Sequence, residues 1–316
     1  MLIKFLYLFA GLGVLVKGAD WLVNGSSALA RKFRVSDLAI GLTIVAFGTS
    51  APELVVNVIA TWENHHDIVF GNIIGSNNFN LFIILGISGL ITPLFVRSST
   101  VWKEIPLSLL AAVILLAFTN GIVNGGNLKV DRWEGFILML LYAGFVFYIY
   151  RNLKQEETKV SGATEQSTFK IWALILMGLA GLVIGGKLIV DNAVLIAKNY
   201  GISEKVIGIT ILAAGTSLPE LATSIVSALK KNVDIAVGNI IGSNIFNILF
   251  IISVSSFIRP VSYNLKFNAD LLILIGGTLF LFLAMFTGQK KKLDRWEAGI
   301  LLAFYVGYLG YLVVRS

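Results

Sequence analysis

Apolar residues along this chain neither alternate nor recur on one helix face. They come in long blocks separated by short polar breaks. A block of about 17–25 apolar residues is the length of helix that crosses a bilayer core. Ten such blocks predict ten spanning helices, at 2–24, 38–61, 69–92, 104–120, 133–151, 169–191, 205–229, 236–257, 269–287 and 295–314. The longest polar break, Arg151 to Thr168 (RNLKQEETKVSGATEQST), reads as an exposed linker and divides the blocks five and five. Gly18-Ala19-Asp20 is no signal-peptide cleavage site, so the first block is expected to remain as a permanent helix.

The two halves repeat. With residue n laid on n + 167 (48 on 215), no gap is needed from Gly18 through Asn80. GTSAPEL at 48–54 meets GTSLPEL at 215–221, and GNIIGSNNFN at 71–80 meets GNIIGSNIFN at 238–247. The fifth block of each half opens on the same tetrapeptide, Asp131-Arg132-Trp133-Glu134 and Asp294-Arg295-Trp296-Glu297, now at an offset of 294 − 131 = 163. Five helices per copy is an odd number, so the second copy enters the membrane from the opposite side. The expected fold is an all-α integral membrane protein of ten helices in two inverted five-helix repeats, 1–151 and 169–316, joined by a linker at 152–168. Many secondary transporters have this architecture, with sites meeting near the midplane.

Composition agrees: 56% of the 316 residues are hydrophobic and 14% charged, against about 45–50% and about 25% in soluble domains. The net charge of +7 does not point to nucleic acid, because the Lys and Arg residues lie in short loops. Fifteen fall on the linker side and eight on the other, with Lys17 and Lys187, near helix ends, left uncounted. The positive-inside rule makes the linker cytoplasmic and both termini external, in a plasma membrane protein. With no cysteine, disulfides and thiolate metal sites are excluded.

The chemistry sits in the middle of blocks two and seven, where Glu53 and Glu220 occupy matched positions. A carboxylate at the bilayer centre costs roughly 2.5–3.5 kcal/mol and needs a partner or a water-lined cavity. No Lys or Arg lies at matching depth. Two glutamates brought together by the repeat would repel, and a bound cation is their natural partner. Thr49 and Glu53, four apart, are expected to share a helix face. Pro52 and Pro219 lack an N–H, which frees the carbonyls of Gly48 and Gly215. Blocks three and eight add Asn72, Ser76 and Asn80, matched by Asn239, Ser243 and Asn247. An all-oxygen set suits calcium or sodium rather than zinc or copper. Gly71-x-x-x-Gly75 and Gly238-x-x-x-Gly242 also read as close-packing motifs, and Asn72 and Asn239 also read as interhelical hydrogen-bonding residues. His65 and His66, in a polar loop with no symmetric partner, read as solvated.

The paired segments GTSAPE with GNIIGSNNFN and GTSLPE with GNIIGSNIFN resemble the alpha-repeats of the cation/calcium exchanger superfamily, most of all its prokaryotic sodium/calcium exchangers. The resemblance implies an antiporter, not an enzyme, that exchanges calcium for sodium by alternating access. It implies four cation positions between blocks 2, 3, 7 and 8, taken by one calcium or three sodiums. Carried over by position, the ligands would be Thr49, Ser50, Glu53, Ser76, Asn80 and the carbonyl of Ala46, with Thr216, Ser217, Glu220, Ser243, Asn247 and the carbonyl of Ala213. Blocks 1 and 6 would slide as a pair across the rest. Some relatives carry aspartate where this chain has Asn247, which gives the site two carboxylates rather than three. No cofactor is implied. The partners are calcium, sodium and the bilayer, and the chain is expected to work as a monomer. The alternatives are a proton/calcium antiporter of the same superfamily and a passive cation channel. A membrane lipid phosphatase would need Arg, His or Ser clusters that are absent.

Overall fold

The structure is a computed structural model and describes residues 2–123, 125–156, 167–200, 213–288 and 290–315. Its helices are α1 (Leu2–Phe33), α2 (Asp37–Thr49), α3 (Ala51–Trp62), α4 (His66–Ile91), α5 (Thr100–Thr119), α6 (Arg132–Glu156), α7 (Thr168–Asn199), α8 (Leu218–Leu229), α9 (Val233–Ile258), α10 (Leu265–Ala284) and α11 (Arg295–Arg315). Among the described residues seven helices are long and apolar enough to cross a membrane, or eight if the bent pair α2–α3 is one span. Large apolar side chains such as Phe9, Leu140, Phe147, Leu176 and Leu283 stand exposed on them. A water-soluble protein does not present so much apolar surface, and here it faces lipid.

Several expected limits shift. Helix α1 runs to Phe33 rather than 24, and α7 to Asn199 rather than 191. Ser26, Ala28, Leu29 and Ala30 are buried, so packing carries α1 past the apolar block. Arg31 and Lys32 in its last turn complement the helix dipole. The second block is not one helix. It breaks at Ser50, and α2 and α3 meet there at 46°. The first part of block seven, residues 205–212, lies outside the described residues. The block is seen as a turn at Ala213–Gly215 followed by α8.

Local sequence explains how the elements start and stop. The repeated Asp-Arg-Trp-Glu is a capping box: Glu134 Oε2 accepts the N–H of Asp131 at 2.8 Å, and Glu297 Oε2 that of Asp294 at 2.7 Å. Helices α3 and α8 end alike. The N–H of His65 reaches the carbonyl of Ala60 at 2.7 Å, and that of Asn232 reaches Ser227 at 2.8 Å. Asn64 and Lys231 take the left-handed backbone conformation (φ 67° and 59°) that this closure requires. His65 is exposed, with Glu63 at 3.8 Å.

Four two-residue strands tie the halves together. β1 (Leu94–Phe95) pairs antiparallel with β4 (Lys292–Leu293), and β2 (Lys129–Val130) with β3 (Val261–Ser262). In the repeat register β1 corresponds to β3 (261 − 94 = 167) and β2 to β4 (292 − 129 = 163). Each sheet therefore joins one half to the other, and the two pairings exchange equivalent strands.

The middle of the molecule is α4 and α9, whose apolar windows are 67% and 94% buried against 33% for α1, α7 and α10. Gly238 and Gly242 seat α9 against α2. A Cβ on Gly238 would lie 2.9 Å from the carbonyl oxygen of Leu38, and one on Gly242 2.8 Å from Ala46 Cβ. The close-packing reading therefore holds for this pair. The symmetric counterpart for Gly71 and Gly75 is 205–213, almost all outside the described residues. Gly242→Val should destabilise the protein by about 1–3 kcal/mol, read as a lower thermal midpoint in detergent. Gly144→Val is the control, because a Cβ there meets nothing within 4 Å.

Helices α1 and α7 lead a second buried cluster, with Leu15, Leu22 and Val23 against Ile171, Ile175 and Leu182, joined by Ile40 and Val45 of α2, Ala222 and Val226 of α8 and Ile235 of α9. Glycines bring the two backbones together. A Cβ on Gly18 would come 2.7 Å from the amide of Leu182, and one on Gly185 2.5 Å from that of Leu15. Stripes of small residues permit this approach in membranes.

Candidate cation site

Pro52 and Pro219 stand in the first turns of α3 and α8, and the residues two positions before them, Ser50 and Ser217, are N-caps with nearly identical backbone (φ −85°, ψ 8° and φ −88°, ψ 7°). Pro52 leaves the carbonyl of Gly48 without its helical donor. The bonds that cross this break run from Ser50 N–H to the carbonyl of Ala46 at 3.0 Å and from Leu54 N–H to that of Ser50 at 3.1 Å. The Ala46 carbonyl is thus engaged within its helix, and Thr49 Oγ1 also lies 3.4 Å from it. Thr49 closes α2 while Glu53 opens α3, so the continuous face expected for this pair is broken. Both glutamates lie in the first turn of a half-helix, where the dipole favours negative charge.

The two halves exchange serines. Ser50 Oγ donates to Glu220 Oε1 at 2.7 Å, and Ser217 Oγ to Glu53 Oε1 at 3.1 Å. Ser76 Oγ lies 3.5 Å from the same Glu53 oxygen. Thr49 Oγ1 is 2.9 Å from Asn239 Oδ1, and Thr216 Oγ1 is 3.3 Å from Asn72 Oδ1. Asn72 and Asn239 therefore hydrogen-bond between helices. Asn239 also donates to Ser224 Oγ at 3.0 Å. Glu53 and Glu220 are 1% and 0% exposed. Among the described residues neither is in an ion pair, and no three His, Cys, Asp or Glu side chains cluster as a metal site.

The other carboxylate oxygens have no such partner. Glu53 Oε2, Glu220 Oε2, Asn80 Oδ1, Asn247 Oδ1 and Ser243 Oγ are buried with no hydrogen-bond partner. Buried polar atoms are nearly always paired. The glutamate and asparagine oxygens are acceptors left without a donor, a state shared elsewhere by Asn57 Oδ1, Asn78 Oδ1 and Glu104 Oε2, and here a cation between the two glutamates would satisfy them. Of the expected ligands, Thr49, Ser50, Glu53, Ser76, Asn80, Ser217, Glu220, Ser243 and Asn247 are buried here, with Thr216 partly buried at the edge. Ala46 is buried on α2, and Ala213 begins the turn before α8.

Two features escaped the sequence reading. Asn80 and Asn247 each lie in a π-helical turn, Phe79–Ile84 and Phe246–Ile251, and such turns recur at functional sites. Asn77 and Asn244 form a crossed clamp beneath them. Asn80 Nδ2 donates to Asn244 Oδ1 at 3.1 Å, and Asn247 Nδ2 to Asn77 Oδ1 at 3.0 Å. Each clamp residue also donates to the other's main-chain carbonyl, at 3.2 and 3.3 Å. Occupying both amide nitrogens leaves the amide oxygens of Asn80 and Asn247 for the site. The signal was present, since both copies carry asparagine at this register (77 + 167 = 244).

The family model for the sodium/calcium exchanger protein matches residues 3–151 and 170–314. The chain belongs to the sodium/calcium exchanger family. Sodium/calcium exchanger MaX1 of Methanosarcina acetivorans is 32% identical, over 97% of each chain. Inner membrane protein YrbG of Escherichia coli is 34% identical, over 87% of each. The solved structure of the sodium-calcium exchanger NCX_Mj soaked with Na+ and Ca2+ superposes with a TM-score of 0.82 at 31% identity, covering 98% of both chains. As a member of this exchanger family the chain is a membrane-embedded cation antiporter, with calcium in its substrate class.

Proposed function

We propose that this exchanger moves calcium against sodium by alternating access, with the ions held by Thr49, Ser50, Glu53, Ser76, Asn80 and the Ala46 carbonyl, and by Thr216, Ser217, Glu220, Ser243, Asn247 and the Ala213 carbonyl. The observation that carries this reading is the set of buried oxygens without donors around two unpaired glutamates. Calcium takes six to eight oxygens at about 2.3–2.6 Å. Two carboxylates neutralise one divalent ion, and the hydroxyl and amide oxygens add neutral positions that suit sodium.

The crossed strand pairings support ten helices in two inverted repeats, 1–151 and 169–316, with the linker 152–168 between them. If every block crosses, the connections holding β1 and β4 are six spans apart and those holding β2 and β3 four apart. An even number puts each pair on one side of the membrane. The excess of Lys and Arg on the linker side supports a cytoplasmic linker and external termini. The glycine-lined contact of α1 with α7 supports movement of the two as one pair across the rest, and the chain is proposed to work as a monomer.

Protein reconstituted in sodium-loaded vesicles should take up calcium only when external sodium is low. Uptake indifferent to the sodium gradient would overturn sodium coupling. If such uptake followed an imposed proton gradient instead, the proton/calcium antiporter would stand, and if it followed neither, a passive channel would. Asn247→Asp sharpens the choice of ion. Its new carboxylate oxygen would replace the nitrogen that now donates to Asn77 Oδ1 at 3.0 Å, and two acceptors would face each other unless the acid is protonated. Calcium exchange in this variant should therefore be weakest where the acid is ionised and rise toward the parent's as pH is lowered, by about tenfold if roughly one hydrogen bond to a charged group is at stake. An unchanged pH and ion profile would place residue 247 outside the site.

A further inference from the structure

Outside the cation site, α1, α7 and the α8–α9 turn surround a cavity of about 450 Å³ whose polar lining is Arg31, Lys170, Lys230, Asn24, Ser27 and Asn232, with Val23 and Leu174 beside them. Lys230 is engaged: its ammonium group contacts Asp20 Oδ1, and it donates to Asn24 Oδ1 at 2.7 Å. Asn232 donates to Ser27 Oγ at 2.9 Å and to Asp37 Oδ2 at 3.0 Å. Among the described residues neither Arg31 nor Lys170 is in an ion pair. Asp20, already held by Lys17 at 2.9 Å and by Lys230, and Asp37 are the acidic groups facing this region. Arg31 acts electrostatically on Asp37, which also lies near Asp234, but among the described residues the cavity lining itself carries three basic side chains and no acidic one.

A second hollow begins at Lys230 and runs along α1. Its walls are Phe9, Leu12, Gly13, Val16, Val226 and Leu229, with Lys17, Asp20 and Lys230 at its mouth. From Asp20 back to Phe9 is eleven residues, or about 16 Å of helix. One leaflet is half of a hydrocarbon core of about 30 Å. A basic, hydrogen-bonding cavity therefore opens into an apolar groove one leaflet deep.

We propose that this is a binding site for an anionic phospholipid, with the phosphate among Arg31, Lys170 and Lys230 and one acyl chain in the groove on α1. A free anion would use the cavity and not the groove, and a zwitterionic lipid would use the groove without needing the excess charge. The lipid would bridge the α1–α7 pair to α8, so its occupancy acts on the relative position of these helices.

The test uses purified full-length protein in neutral detergent, titrated with palmitoyl-oleoyl phosphatidylglycerol, with the phosphatidylcholine of the same chains, or with inorganic phosphate. Binding is followed by native mass spectrometry and thermal unfolding. Phosphatidylglycerol should bind and raise the midpoint, phosphatidylcholine should do so less, and phosphate should have no effect. The double variant Arg31→Gln with Lys170→Gln should bind phosphatidylglycerol about thirtyfold more weakly, from the loss of two surface cations. Gly13→Phe fills the groove at a position where a Cβ meets nothing within 4 Å. It should lose phosphatidylglycerol while keeping its fold, and it decides the matter if the double variant does not fold. Equal binding of the two lipids, undiminished phosphatidylglycerol binding in either folded variant, or a phosphate response that survives Gly13→Phe would overturn the proposal.

Discussion

Glutamine at Glu53 or at Glu220 should abolish calcium uptake into sodium-loaded vesicles while leaving a folded protein. The substitution keeps the side-chain volume and one acceptor oxygen. It removes one of the two charges that the proposed calcium would see, and it turns an amide N–H2 toward oxygens that already lack donors. Removing one member of a buried charge pair costs roughly 2–5 kcal/mol, a loss of about thirtyfold to several thousandfold in affinity. Stability should move the other way. Without bound ions the native protein holds two buried, unpaired carboxylates, and replacing one relieves an uncompensated charge. The variant should therefore unfold no earlier than the parent in ion-free detergent, and it should lose the calcium-dependent rise in midpoint. Calcium uptake retained in either variant would remove that glutamate from the site.

The second large effect is expected at a pair of side chains placed one step behind the ions. Alanine at Asn77 or Asn244 cuts the crossed clamp that occupies the amide nitrogens of Asn80 and Asn247. Each of those amides is then free to turn, and its oxygen no longer has a fixed direction. Supporting residues of this kind typically cost 10–100-fold in metal affinity when removed. The expected result is a rise of about that size in the calcium concentration for half-maximal exchange, with folding retained. Asn78 is the control. It adjoins Asn77 but donates to the main-chain carbonyl of Asp270 at 3.0 Å, on the far side of α4. Asn78→Ala should lower thermal stability without moving the calcium dependence. Equal calcium affinity in parent and Asn77→Ala would leave the clamp a packing feature only.

Much of this was legible in the residues themselves. Block length set the helical membrane class, because a backbone in lipid must satisfy its own hydrogen bonds. The duplication matched Ser50 with Ser217 and Glu53 with Glu220 and set the two groups face to face; that each serine serves the other half's glutamate came from the structure. Pro52 and Pro219 announced freed carbonyls, though not the break at Ser50 that parts Thr49 from Glu53. The repeated Asp-Arg-Trp-Glu, noticed only as a marker of duplication, proves to start two helices by a capping box.

What remained hidden has a common cause. Polar ends of helices are invisible to hydropathy, so α1 and α7 run eight or nine residues past their apolar blocks, held by packing. The π-helical turns at Asn80 and Asn247 carry no composition of their own, because one extra residue in a turn is imposed by neighbouring helices. Residues 77 and 244 are ordinary asparagines until the two halves meet across α4 and α9. The sequence by itself determined the membrane class, the duplication and the pair of glutamates without basic partners, since these rest on composition and on identity between copies. Only the tertiary structure decided which oxygens are left without donors, because a hydrogen bond depends on the direction and distance of groups some 165 residues apart.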